Sequence, residues 1–157
     1  MFEQKRMAQQ KTKSMNKFWQ NWLTVFCGAV GLFDVVLAGG VFEATSSPVY
    51  FTLGLLNSTG EILLNSAMRF SLAVMGAVTI GWSIILFAAI KAANKLDKQS
   101  SKSVWNLITL SVASWYVIDS ILSIAIGFWL NTIPNTIYMA AFLLPILIRL
   151  SDNSILG

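Results

Sequence analysis

The sequence predicts an all-α integral membrane protein, a polytopic bundle of four transmembrane helices. Of its 157 residues, 55% are hydrophobic and 11% are charged, whereas soluble domains carry about 25% charged residues. Four stretches are long and apolar enough to cross about 30 Å of hydrocarbon. The basic residues fall almost entirely on one side of the resulting topology. Together these observations exclude an ordinary soluble globule.

The composition also excludes several kinds of site. The chain contains no histidine and one cysteine, Cys27. Haem ligation by histidine, histidine-based zinc sites and Ser-His-Asp or Cys-His catalysis are therefore excluded within these residues. The sequence has no glycine-rich phosphate loop and no metal-ligand spacing. We expect no catalytic residue, no metal site and no cofactor.

The first two predicted spans cover residues 18–42 and 67–90, and each contains one charge, Asp34 and Arg69 respectively. A basic arm at residues 1–17 comes first. This start also fits a secretory signal peptide, because basic residues precede an apolar run that ends in small residues. The run is too long for a signal peptide and contains Asp34, so we expect a retained span.

The last two predicted spans cover residues 104–130, with Asp119, and residues 133–150, with Pro145. The length of the third implies tilt or a projecting end. We expect the fourth to be helical with a kink near its proline. The connection between the two spans is of hairpin length, which makes them antiparallel neighbours.

The four spans form one predicted domain, residues 18–150, followed by a short C-terminal tail at 151–157. The longest segment outside the spans covers residues 43–65 and is largely apolar. We expect it to lie on the membrane interface or to fold over the mouth of the bundle as a short helix.

The basic residues predict the orientation, because Lys and Arg concentrate on the cytoplasmic side. Ten of the 11 lie on one side: Lys5, Arg6, Lys11, Lys13, Lys17, Lys91, Lys95, Lys98, Lys102 and Arg149. Both termini are therefore expected in the cytoplasm. The clusters at 5–17 and 91–102 are expected to attract anionic lipid. Nucleic acid is not expected, because the basic arm lacks interleaved aromatic residues.

Three ionisable residues lie inside the predicted spans, namely Asp34, Arg69 and Asp119. With a rise of about 1.5 Å per residue, all three come to one level in the outer leaflet. An unpaired charge in a span is costly, so we expect Arg69 to bridge the two carboxylates. The alternative is that Arg69 reaches the outer headgroups while water solvates each aspartate. In a bridge one acid is left over, and it would be protonated, bind a cation or carry a proton.

Small and polar residues recur at helical spacing in three spans. These rows are Gly28, Gly31, Asp34 and Ala38; Arg69, Ala73, Ala77 and Gly81; and Trp115, Asp119, Ser123 and Gly127. Such rows are typical of packing seams, and their polar members would also fit a small cavity facing outward. The candidate residues for a ligand, ion or proton are Asp34, Arg69, Asp119, Ser123, Trp115, Asn131 and Asn135.

Several short motifs carry a resemblance to known proteins. They are Arg69-Phe70, Gly76-Ala77, Trp115 with Asp119, and Asn135. Over about residues 26–150 the chain resembles uncharacterised bacterial membrane proteins with four spans, a family similar to the DoxX-like group. The resemblance implies a four-helix membrane bundle in the bacterial inner membrane. It implies no activity and no catalytic residue.

We therefore expect first an accessory, assembly or partner-binding role in the membrane, as a homo-oligomer or within a larger complex. The small size, the packing rows and the lack of catalytic chemistry favour this role. The alternative is a small oligomeric carrier or channel for a proton, an ion or a small molecule that uses Asp34 and Asp119. A membrane enzyme ranks last. A water-filled cavity at the aspartate pair, open to the outer face, would favour transport. A dry, fully paired cluster with an exposed apolar or small-residue face on another helix would favour a partner.

Overall fold

The computed structural model describes residues 15–57 and 60–154, with side chains as far as residue 148. In this part of the chain the α-helices are α1 (Lys17–Gly39), α2 (Ser47–Leu56), α3 (Ser66–Ala93), α4 (Lys98–Ala125) and α5 (Thr132–Ser154). Short 3-10 turns precede α2 and α5, at Glu43–Thr45 and Trp129–Asn131. Four helical segments are long and apolar enough to cross a membrane. The predicted all-α, four-span architecture is confirmed.

Polar caps and one glycine determine where the helices begin and end. Side chains of Asn65 and Asp97 accept backbone N–H bonds at the starts of α3 and α4. Gly127 has φ of +86°, a conformation that glycine adopts at little cost, and it follows the last turn of α4. The third span was predicted to extend to residue 130. The predicted end of the third span is wrong, because α4 ends at Ala125 and the chain then turns back toward α5.

Other predicted boundaries also differ, and the largest difference is at the start of the third span, predicted at residue 104, where α4 begins at Lys98. The first span was predicted to extend to residue 42, but α1 ends at Gly39. Residues 151–154 of the predicted tail continue α5, which runs through Pro145 as one helix. Most of the predicted basic arm, residues 1–14, and the end of the tail, residues 155–157, lie outside the described residues.

The closest helix contact joins α1 to α3 through small residues. A Cβ atom added to Gly76 would lie 2.8 Å from the Cβ of Ala38, and one added to Gly31 would lie 2.9 Å from the Oγ of Ser83. Such spacing leaves no room for a larger side chain, as is typical of membrane helices that pack backbone to backbone. The predicted row on the first span is thus part of a real seam, although Gly28 lies outside it with nothing within 4 Å.

The predicted row on the second span is not the face that packs. Ala77 is exposed, and a Cβ added to Gly81 would meet nothing within 4 Å. Helix α3 instead turns Leu72, Gly76 and Ser83 toward α1. The prediction was wrong because a row in successive steps of four drifts around the helix, whereas the packing face follows Arg69 at spacings of three, four and seven residues.

The helices follow one another around the bundle. Helix α3 packs against α1 and α4, and α5 packs against α4 and α1. The short helix α2 contacts α1 and the 3-10 turn before α5. It therefore covers the end of the bundle where α1 ends and α3 begins, which we call the α2 end. Of the two expectations for residues 43–65, the structure shows a short helix that contacts this end of the bundle.

Two apolar cores hold the bundle together at different heights. The larger core contains Leu23, Phe26, Cys27, Leu86, Ile90, Ala93, Trp105, Ile108, Val112 and Phe142. The smaller core, at the α2 end, contains Leu37, Val49, Leu64 and Leu72. A cavity lies between them, since its walls include Phe26 of the first core and Leu37 of the second.

Candidate functional site

The cavity between the two cores has a volume of about 520 Å³ and is lined by residues of all five described helices. Most lining residues are apolar or aromatic. The polar lining residues are Asp34, Thr52, Thr79, Asp119, Ser123, Asn131 and Asn135. A mostly apolar concave space with a few convergent polar groups is the usual form of a small-molecule site.

Six of the seven candidate residues from the sequence line this cavity. Helix α4 contributes Trp115, Asp119 and Ser123, which lie four residues apart and so share one helix face. Asp34 comes from α1, while Asn131 and Asn135 come from the turn before α5 and from α5 itself. The seventh candidate, Arg69, does not line the cavity.

Two amides hold the carboxylate of Asp119. Its Oδ2 accepts a hydrogen bond from Nδ2 of Asn131 at 2.9 Å and a second one from Nδ2 of Asn135. Asn131 also donates to Oγ of Ser123 at 3.0 Å. The turn at Gly127 makes this arrangement possible, because it folds the chain back so that the two amides reach α4. Asp119 is therefore held by neutral donors, without a cation.

Asp34 is buried but much less well satisfied. The residue is 4% exposed, and its Oδ2 has no hydrogen-bond partner within the described residues. The Thr79 side chain lies within hydrogen-bond reach of the Asp34 carboxyl, and its hydroxyl also contacts the carbonyl of Met75 at 2.7 Å. A buried carboxylate oxygen without a donor is costly, so Asp34 has capacity for a further contact.

The predicted bridge from Arg69 to the two aspartates is wrong. Nε of Arg69 donates to the carbonyl of Leu64 at 3.1 Å, and Nη1 donates to the carbonyls of Gly40 and Val41 at 2.9 and 3.3 Å. In the part of the chain that the structure describes, Arg69 forms no ion pair with either aspartate. Backbone carbonyls at the end of a helix lack helical partners and carry partial negative charge, which explains this position of the guanidinium.

Aromatic side chains form much of the remaining wall. The rings of Trp82 and Trp115 lie 6.1 Å apart at 34°, and those of Phe26 and Tyr138 lie 6.1 Å apart, edge to face. Nε1 of Trp82 donates to Oγ of Ser111 at 3.4 Å, which helps to orient the indole. These four aromatic residues all line the cavity.

Sequence reasoning missed Thr79 and Tyr138 as lining residues. A usable signal existed for Thr79, which lies three residues before Trp82 and so neighbours it on the surface of α3. Tyr138 lies three residues after Asn135 on α5 and shares a face with it in the same way.

The charges of the lining residues are of one sign. Two carboxylates face the cavity from different helices, and no Lys or Arg among the described residues lines it. No group of three or more His, Cys, Asp or Glu residues within the described ranges could hold a metal ion. The arrangement can therefore attract and hold a positive charge within a largely apolar volume.

Comparisons of the chain with models of protein families, with curated proteins and with solved structures gave no match. The DoxX-like resemblance therefore stays a prediction.

Proposed function

We propose that the protein binds a positively charged solute in the cavity and carries it across the membrane. The observation that supports this function most strongly is that Asp34 and Asp119, from α1 and α4, face one cavity without a lining cation. Carboxylates inside a membrane protein are expensive and typically mark ion, proton or substrate pathways. A bound cation would offset part of this negative charge.

The position of the cavity fits uptake from one side of the membrane. With both termini in the cytoplasm, as the basic residues predict, the α2 end faces the cell exterior. The cavity then lies toward that side, because residues of α2 form part of its wall. Four helices enclose little space for a complete pathway, so we propose that the carrier is a homo-oligomer in the plasma membrane.

Charge movement on a solid-supported membrane tests the proposal across several classes of cation. Proteoliposomes are exposed in turn to jumps of pH, Na⁺, K⁺, Mg²⁺ and organic ammonium ions. We expect a transient current with at least one class, which is lost in D34N and D119N. The matched control is E43Q, which removes an exposed carboxylate that does not line the cavity. Absence of current for every class, or equal currents in all variants, would contradict a carrier.

A second candidate function is the accessory or partner-binding role. It is favoured by the small-residue row on α3 that the bundle leaves unfilled, since Ala77 is exposed and Gly81 has open space beside it. Small residues on a membrane helix permit close approach of another helix. The cavity makes the carrier the better supported function, and the same row would serve the oligomer. A membrane enzyme ranks last, because no feature of the cavity identifies a reaction.

Substitution of this row tests the second candidate. We expect A77L and G81L to weaken association of the protein with itself or with a partner, measured by cross-linking in native membranes. L107A changes a comparably exposed position on α4 and should leave association unchanged. If the row is exposed only to lipid, the three variants will cross-link alike.

A further inference from the structure

We propose that the solute is an organic monocation whose ammonium group contacts Asp34 and whose apolar body lies against Trp82 and Trp115. This inference rests on the proposed function and names its substrate class. It joins three features of one cavity, namely an unsatisfied carboxylate, an aromatic wall and an apolar volume.

Asp34 is the anchoring charge, and Asp119 is not. Asp34 is only 4% exposed, it lines the cavity, and its Oδ2 has no partner within the described residues. Asp119 already accepts two amide hydrogen bonds at Oδ2. A cation therefore gains more at Asp34, because fewer donors already compensate that carboxylate. Asp119 adds a second negative charge to the same space.

The aromatic wall can contact an ammonium ion through its ring faces and can also pack against an aryl group. The Trp82 and Trp115 rings lie 6.1 Å apart, and both line the cavity. Tryptophan is the strongest cation–π partner among the side chains, and quaternary ammonium groups are typically recognised by aromatic residues. The same rings pack well against an aromatic body.

The volume of the cavity and its mostly apolar lining favour an organic monocation over a metal ion or a proton. Ligand pockets for drug-sized molecules have volumes of roughly 300 to 1,000 Å³, and this one has about 520 Å³. A divalent metal needs about six oxygen ligands at close range, whereas most of the lining here is apolar. A proton needs no such volume. An anion would meet two carboxylates without a lining Lys or Arg.

Benzyltrimethylammonium is the probe, and its neutral isostere neopentylbenzene is the matched control ligand. The full-length protein is placed in lipid nanodiscs, and binding is measured by calorimetry and by quenching of tryptophan fluorescence. We expect the cation to bind at least about tenfold more tightly than the isostere, because the isostere lacks the electrostatic and cation–π contacts. This comparison uses the unmodified protein, so it does not depend on the folding of any variant.

Three substitutions test whether the probe binds at Asp34 and the aromatic wall. D34N should weaken binding of benzyltrimethylammonium about tenfold or more, W115F should weaken it less, and E43Q should not change it. Equal affinity for the cation and the isostere, or unchanged affinity in D34N, would overturn the inference.

The experiments can contradict the organic-monocation proposal without contradicting the carrier proposal. If pH or metal-ion jumps give currents that need the aspartates while benzyltrimethylammonium does not bind, the carrier stands and the organic solute is wrong. If no cation of any class produces a current or binds, both fail.

The ammonium group can belong to a free solute or to the headgroup of an ethanolamine phospholipid. Nanodiscs of phosphatidylglycerol alone and nanodiscs that also contain phosphatidylethanolamine distinguish these sources. Weaker apparent affinity for the probe with phosphatidylethanolamine would identify the headgroup as a competitor at the same ammonium site. Equal affinity in the two lipids would support a free amine.

Discussion

Gly76 of α3 lies directly against the backbone of Asp34 in α1, so that a Cβ at Gly76 would lie 2.9 Å from the Asp34 carbonyl oxygen. The two helices therefore approach closely at the turn that carries the unsatisfied carboxylate. This contact fixes the backbone of Asp34 while its side chain faces the cavity. The same turn of α1 therefore provides both the close contact with α3 and one carboxyl group of the cavity.

The Gly76 contact leads to the first prediction. G76A forces a methyl group into the backbone of α1, and overpacking of this kind costs about 1 to 3 kcal/mol. We expect a lower midpoint of thermal unfolding in detergent and weaker binding in the cavity. G81A adds the same methyl group on the same helix where nothing lies within 4 Å, and should change neither. Equal effects of the two substitutions would show that the seam does not run through Gly76.

The amides around Asp119 lead to the second prediction. N135A removes one of the two donors to its carboxylate, and a buried acceptor that loses a donor costs about 1 to 3 kcal/mol. We expect lower stability of the α4 and α5 pair, measured by hydrogen exchange of backbone amides in the two helices. I137A truncates an exposed side chain on the same helix and should have a smaller effect. The pairing would be contradicted if I137A were as damaging as N135A.

The position of Arg69 leads to the third prediction. Because Arg69 binds backbone carbonyls of the segment after α1 and of the segment before α3, its loss should destabilise the α2 end without changing the charge balance of the cavity. In a double-mutant cycle, R69A and D119N should be additive within about 0.5 kcal/mol. Unfolding in detergent with a chemical denaturant gives the four free energies. A coupling energy well above about 0.5 kcal/mol would instead support an ion pair between Arg69 and Asp119.

The cap of α4 leads to a prediction about pH. The Ser100 hydroxyl and the backbone N–H groups of Ser100 and Gln99 lower the pKa of the Asp97 carboxyl. A carboxyl with a depressed folded-state pKa stabilises the fold above its unfolded value of about 3.9, and this is lost as the pH falls through the folded value. We expect D97A to be less stable than the original protein at neutral pH, with the difference shrinking in acid.

Thermal unfolding of both proteins over a pH series measures the Asp97 effect. D97N keeps a capping side chain without the charge, and should stay closer to the original protein at neutral pH. A deficit in D97A that is the same at every pH would show that the carboxylate charge does not contribute.

Much of the architecture follows from the sequence because bilayer thickness and hydropathy limit the solutions. The apolar runs predict four spans, and helical spacing alone places Trp115, Asp119 and Ser123 on one face of α4. The end of α4 was harder to predict, since residues 126–130 are as apolar as a helix and only the positive φ of Gly127 interrupts it. A single glycine does not reveal from sequence whether it adopts that conformation.

The site itself was only partly predictable. The sequence indicates which charges lie in spans, but charge counting favours an ion pair, and Arg69 instead satisfies backbone carbonyls. Unpaired carbonyls at the end of α1 depend on where that helix stops, which hydropathy does not determine. The cavity is likewise invisible in the sequence, because it forms where five helices fail to fill the space between two cores.

Nuclear magnetic resonance of the protein with benzyltrimethylammonium tests the central claim most directly. Labelling with ¹³C at aspartate carboxyl groups, together with intermolecular nuclear Overhauser effects, locates the probe. We predict a shift of the Asp34 carboxyl resonance that saturates with the probe, and contacts from the N-methyl protons to the rings of Trp82 and Trp115. Shifts confined to the exposed Asp97, without a contact to either ring, would contradict a cation site in the cavity.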